Sequence, residues 1–505
     1  MNNMYKNSIS SFCSQFLYLV LLFLVRCFFV KTLGIEYQGL DSVMTSAVAI
    51  LSLADLGIGT ASVFALYKPL NEHRNDKIRS LISLYKKIYF VIISCLILFG
   101  MVMCIFVPAF IKDSIFSPWY IRKIFILFLL QTVSSYIFAE YQALFLANEK
   151  NYINSIYKSV ISTISAVLQI LSIVLLKNYY LKIATIIFAN LVTNYLIRRK
   201  ALSDYPFLKD PDRRVLSEEE KNGLFTDFKN LSVSRIADVL IFQTDNLFIA
   251  KLIGETIAGI YSNYYLIISG LNSVITCLIT AIQPTFAKKL LKNHSNQETQ
   301  KEIFNNFSSV SLIITSICIC GYYVLFDGFI SAWVGSANLL NRHTVLLLII
   351  TQLILLLDSP LWTMMYLNGA FKQIKSIGFF VSVINIIASC SLGMCIGLNG
   401  IVYGTIICYT ISITLHFMYV FKSIIKDGKT VLKFAIKLLQ FIISTSLSTL
   451  ICESFYKSLV SFNIPVLSNL FIGIIICVVI TLTINAVLFY KEIKKFISDI
   501  RKGTL

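Results

Sequence analysis

Fourteen apolar runs, each long enough to cross about 30 Å of hydrocarbon, dominate this 505-residue chain. They lie near residues 9–31, 42–67, 84–110, 124–147, 152–176, 179–197, 230–252, 257–287, 304–331, 344–369, 373–396, 400–421, 431–452 and 466–490. In lipid every backbone N–H and C=O must be satisfied within its own segment, so such runs are helices. The expected fold is therefore all-α and integral to a membrane, with about 14 transmembrane helices. Composition agrees, with 57% hydrophobic residues, 14% charged and a mean hydropathy of +0.76. A soluble chain carries about 25% charge. One run, 152–176, is polar for a span and carries Ser162, Ser165 and Gln169.

A formal charge of +18 would suggest nucleic acid in a soluble protein, but here its distribution reads as topology. With the N-terminus cytoplasmic, 33 of the 44 Lys and Arg residues fall in inner loops and nine in outer loops. The remaining two, Arg26 and Arg235, lie inside helices. That bias predicts an even number of crossings and cytoplasmic termini, with no nucleic-acid partner. The 12 cysteines sit mostly inside apolar runs without metal-ligand spacing and read as small hydrophobes. The four histidines are scattered. No cleavage site follows the first apolar run, so the first helix is expected to stay in the membrane.

The chain repeats itself. Gly34 and Gly39 in KTLGIEYQGL reappear as Gly254 and Gly259 in KLIGETIAGIY, and each pair ends one apolar helix and opens the next. Both sit at the same place in a six-helix unit. This predicts an N-terminal six-helix lobe (1–197), a cytoplasmic linker (198–228), a second lobe (229–424), and two further helices with a cytoplasmic tail (425–505). Six is even, so the repeats run parallel and place a cavity between the lobes that opens to each side in turn. Ser217 and Glu220 have capping-box spacing and predict a short surface helix in the linker.

Charges at membrane depth are costly and mark function by default. Arg26 either lines a cavity and binds an anion or pairs with a carboxylate such as Asp55. Glu140 reads as an interfacial, solvated group. Arg235, Asp238 and Asp245 share one helix stripe; Arg235 has the option of neutralising Asp238, while Asp245 has no cation near it in sequence. Asp358 precedes Ser359-Pro360, where proline frees backbone carbonyls; a small-cation site and a merely kinked helix are both open. There is no P-loop and no HExxH motif, and no large outer loop. An enzyme is not expected.

Three stretches carry a family resemblance: Arg26 followed by TLGIEYQGL (Thr32–Leu40), SLADLGIG (Ser52–Gly59), and Asp245-Asn246 through IGETIAGIYSNYY (Ile253–Tyr265). With its helix pattern, the chain resembles the polysaccharide flippases for O-antigen and capsule repeat units, in the multidrug/oligosaccharidyl-lipid/polysaccharide exporter superfamily. The resemblance implies two lobes around a V-shaped cavity in a bacterial cell membrane. It implies a cargo of undecaprenyl-diphosphate-linked oligosaccharide, moved from inner to outer leaflet, with membrane lipids, a polysaccharide polymerase and chain-length machinery as partners. It also makes Arg26 the first diphosphate anchor and Arg235 the second. Asp55, Asp238, Asp245 and Asp358 become ion-coupling candidates for Na+ or H+. Related lipid-II flippases carry more cavity cations than these two. The alternatives are a cation-coupled drug antiporter of the same superfamily and a membrane polysaccharide polymerase.

Overall fold

A computed structural model describes residues 3–52, 58–210, 243–292, 296–461 and 465–490. Among them there is no strand. Helices α1 (Asn3–Leu33), α2 (Ile35–Leu51), α3 (Ile58–Asn71), α4 (Asn75–Phe106), α5 (Pro118–Tyr136), α6 (Glu140–Ala147), α7 (Asn151–Val174) and α8 (Tyr179–Asp204) precede α9, described over residues 243–252. Then come α10 (Glu255–Lys292), α11 (Gln297–Val334), α12 (Arg342–Leu367), α13 (Phe371–Tyr419), α14 (Gly428–Ser461) and α15 (Val466–Leu488).

Nine of these helices are long and apolar enough to cross a membrane, or ten if α5 and α6, bent by 43° between them, form one span. Helix α13 counts once in both figures, yet it is a hairpin. Ile396 and Gly397 leave helical geometry, with φ +63 at Gly397. The arms then fold back, since Asn385 donates to Thr405 Oγ1 at 3.3 Å and Ser389 to the Ile401 carbonyl at 3.2 Å. A total of fourteen crossings would further require α2 with α3, α9 and α10 each to cross. The outward face of α4 shows what surrounds the molecule: Phe90 is 70% and Leu98 64% exposed. Such a band is stable against lipid and not against water.

The chain forms two compact units, Met1–Gly259 and Ile260–Leu505. In the first, α7 lies between α1 and α8, and α5 packs on α8. A second core joins Leu66 and Tyr85 to Leu144, Phe145 and Ile197. In the second unit, α11 packs with α14 and α15, and α12 packs with α13. Small residues let the first trio approach closely. Its polar seam is closed on itself: Thr445 donates to Ser316 Oγ at 2.9 Å, Asn485 to the same oxygen at 3.2 Å, and Ser444 to Asn485 Oδ1 at 3.1 Å.

The glycine echo has a structural cause. Gly34 (φ +104) and Gly254 (φ +133) are the turns that open α2 and α10. Their companions let the starts of α2 and α10 touch: a Cβ on Gly39 would lie 1.9 Å from the Glu255 carbonyl oxygen, and one on Gly259 would lie 2.5 Å from that of Ile35.

Two expectations need correction. Glu140 is buried, 2% exposed, in the first turn of α6. The bend at Phe138 (φ +64) turns that helix start inward, where Lys86 and Arg198 act on the carboxylate. Lys158 and Lys182, counted above as loop charges, stand inside α7 and α8. The expected linker helix at Ser217 lies outside the described residues.

Candidate functional site

The N-terminal unit bears a half-open cavity of about 820 Å³ between α1, α2, α5, α6, α7 and α8. Its walls explain why α7 looked too polar for a span: Ser162, Ser165 and Gln169 all line it. Helix α8 is placed by Asn178, whose side chain caps it by accepting from Leu181 N at 3.1 Å. That fixes Lys182 in the first turn with its ammonium directed inward.

Four charged side chains line the cavity: Arg26, Lys158, Lys182 and Asp41. Lys182 pairs with Asp41, and the Tyr179 hydroxyl donates to the same carboxylate at 3.1 Å. The lysine ammonium also lies 4.2 Å from the Phe29 ring centroid, a cation–π contact that holds it at low exposure. Arg26 faces Asp41 and Tyr18 electrostatically. Asp41 thus sits between two cations, and Lys158 adds a third. The net lining charge is positive.

The remaining polar wall is built from carboxamides and hydroxyls. Gln142 donates to Asn194 Oδ1 at 2.7 Å, and Asn194 donates in turn to the Ser135 carbonyl at 3.1 Å. Asn190 donates to the Ser134 hydroxyl at 3.1 Å, and Gln169 to the Ser165 hydroxyl at 3.0 Å. Gln15, Gln38 and Gln131 complete the set. These are donors and acceptors of the kind that sugars and phosphates use, held in place by mutual hydrogen bonds.

Of the residues expected at a site, Arg26 lies in this cavity. Asp245 does not line it; it is buried on α9 at 7% exposure, beside Asn246, which donates to Ser46 Oγ at 3.2 Å. Asp358 is in the other unit, on α12, with its oxygens 2.8 and 2.9 Å from His416 Nδ1 on α13. Asp55, Arg235 and Asp238 lie outside the described residues. Asp41, Lys158 and Lys182 were missed in the sequence because each sits close to a helix end, where charge reads as a boundary.

The family model for "Polysaccharide biosynthesis protein" matches residues 4–290. This chain belongs to that family. The fold matches the lipid II flippase MurJ in an inward closed conformation, with TM-score 0.66, 16% identity, and coverage of 96% of this chain and 99% of that one. An inward-facing multidrug-resistance MATE transporter of the MOP superfamily matches at TM-score 0.59, with 13% identity over 84% of this chain and 95% of its own. A MOP superfamily transporter from Pyrococcus furiosus matches at 0.52, with 15% identity over 84% and 96%. None of the curated proteins matches the sequence. The chain is a multi-pass membrane protein of the polysaccharide biosynthesis family, and the neighbours sharing its fold are transporters and a flippase rather than enzymes.

Proposed function

We propose that this protein is a flippase that moves a polyprenyl-diphosphate-linked oligosaccharide repeat unit from the inner to the outer leaflet of a bacterial cell membrane, by alternating access between its lobes. The cargo belongs to surface polysaccharide biosynthesis, with membrane lipids and downstream polymerase and chain-length machinery as partners. One observation carries the reading: the N-terminal cavity sets three cations against one carboxylate in a wall of carboxamides and hydroxyls. A diphosphate–sugar headgroup needs that combination to leave water. A drug antiporter that takes cationic substrates needs the opposite charge balance.

Arg26, reinforced by Lys158, binds the diphosphate in this scheme, with Arg235 a further anchor. A guanidinium offers paired donors matched to phosphate oxygens. Lys182 is engaged by Asp41 and holds the site's geometry. Coupling to H+ is assigned to Asp358, whose oxygens already share an imidazole nitrogen, with Asp245 second; Asp55 and Asp238 stay in the proposal as further ion sites, and Na+ is the alternative ion.

The test uses cells lacking the protein, with polyprenyl-linked oligosaccharides and surface polymer quantified together. Lipid-linked repeat units should accumulate while surface polymer falls, and wild type but not Arg26→Ala should reverse both at equal protein level. Unchanged lipid intermediates with altered sensitivity to cationic drugs would establish the antiporter instead.

A further inference from the structure

Three cysteines far apart in sequence meet in the C-terminal unit. Cys320 of α11, Cys452 of α14 and Cys477 of α15 are all buried, and their sulfurs lie within 4.8 Å of one another. The backbones come close because the neighbouring helical positions are small. Ser316, Ser448 and Gly473 each lie four residues before one of the thiols, and a Cβ on Gly473 would meet Leu325 and Tyr456 at 2.9 and 3.0 Å. The surroundings are apolar, from Val324, Leu325, Ile476 and Ile480. Two hydroxyls, Thr449 and Thr481, face Cys320 Sγ. Thr481 Oγ1 is fully buried and has no hydrogen-bond partner among the described residues.

From this geometry we infer that the three thiols form a binding site for one Cu(I) ion, which pins α14 and α15 to α11. Three sulfurs about 2.3 Å from a shared ion stand about 4 Å apart, within the observed limit. The donor set selects the ion. Thiolate and thiol sulfurs are soft and favour Cu(I), whereas structural zinc closes a tetrahedron with four N, S or O ligands. The three-sulfur group contains no histidine or carboxylate.

The apolar setting dictates the charge. A net ionic site here would be costly, so neutrality requires one thiolate and two thiols on Cu(I). One thiol proton leaves to water as the ion binds, and no electron is transferred. The buried Thr481 hydroxyl stands where it can donate to the sulfur that carries the negative charge, as outer partners do at metal sites, while the Thr449 hydroxyl is held by the Thr445 carbonyl at 2.6 Å.

The experiment titrates the purified, reduced full chain in nanodiscs with chelator-buffered Cu(I). One equivalent should bind, with affinity rising about tenfold per pH unit because one proton is released. X-ray absorption should show three sulfur neighbours. Cys320→Ser, Cys452→Ser and Cys477→Ser should each weaken binding at least tenfold, while Cys408→Ser, a buried cysteine elsewhere in the unit, should not. Where a variant fails to fold, the wild-type absorption spectrum decides. Two sulfur neighbours, assembled at the exposed Cys13, Cys277 or Cys395, would overturn the site. So would nitrogen or oxygen neighbours, no binding above the chelator, or a disulfide between any two of the three in protein isolated without reductant.

Discussion

Asp41 and Lys182 form an ion pair in the wall of the N-terminal cavity. Their side chains are 14% and 9% exposed, so removing one charge leaves the other poorly compensated. Lys182→Met should cost on the order of 2 kcal/mol, below the roughly 3–5 of a dry buried pair because the cavity is polar. The double variant with Asp41→Asn should recover part of that loss, and thermal unfolding in detergent measures both. Additive losses would show that the pair is not coupled. His416→Leu should likewise strand Asp358, and transport should lose its dependence on the proton gradient; an unchanged dependence would remove Asp358 from the coupling sites. These residues also show what single positions hide. Asp358 was legible as an intramembrane acid, but its histidine partner lies 58 residues away on the far arm of a helical hairpin, and no local pattern links them.

At the scale of elements, glycine geometry and helix caps decide where chains turn. Gly34 combines φ +104 with ψ 168, a region that a side chain enters only at a cost of about 1–3 kcal/mol. Gly34→Ala should lose that much, and Gly39→Ala should lose more, because its Cβ meets backbone at 1.9 Å and backbone has no rotamer to relax. Folded yield by fluorescence-detected gel filtration ranks the two, and equal yields would contradict the close crossing. The start of α14 is held by Asp427, which accepts from Thr430 Oγ1 at 2.7 Å and Thr430 N at 3.2 Å and faces Lys301 at 3.6 Å. The Thr430 hydroxyl first, and then the backbone amides and Lys301, hold its carboxyl below the usual carboxylate value. A lowered pKa means the cap's contribution is complete above the ordinary carboxylate pKa and is lost as pH falls through the lower, folded one. Protection of the amides in the first turn of α14, taken relative to their intrinsic exchange rate at each pH, should therefore be lost only in acid, and Asp427→Asn should flatten that dependence.

At the scale of the whole molecule, hydropathy alone determined the solvent, the all-helical class and the positions of most helices, because a backbone in lipid has few ways to satisfy itself. The turns at Gly34 and Gly254 were equally legible, since a turn that only glycine accepts leaves its mark in the sequence. Only the tertiary structure decided which polar side chains converge. Lys158 and Lys182 looked like loop charges, Ser162 and Gln169 looked like flaws in a span, and Cys320, Cys452 and Cys477 looked like apolar filler. Each became a site component when helices distant in sequence packed side by side. Helical periodicity says which face a residue occupies, and only packing says what that face meets.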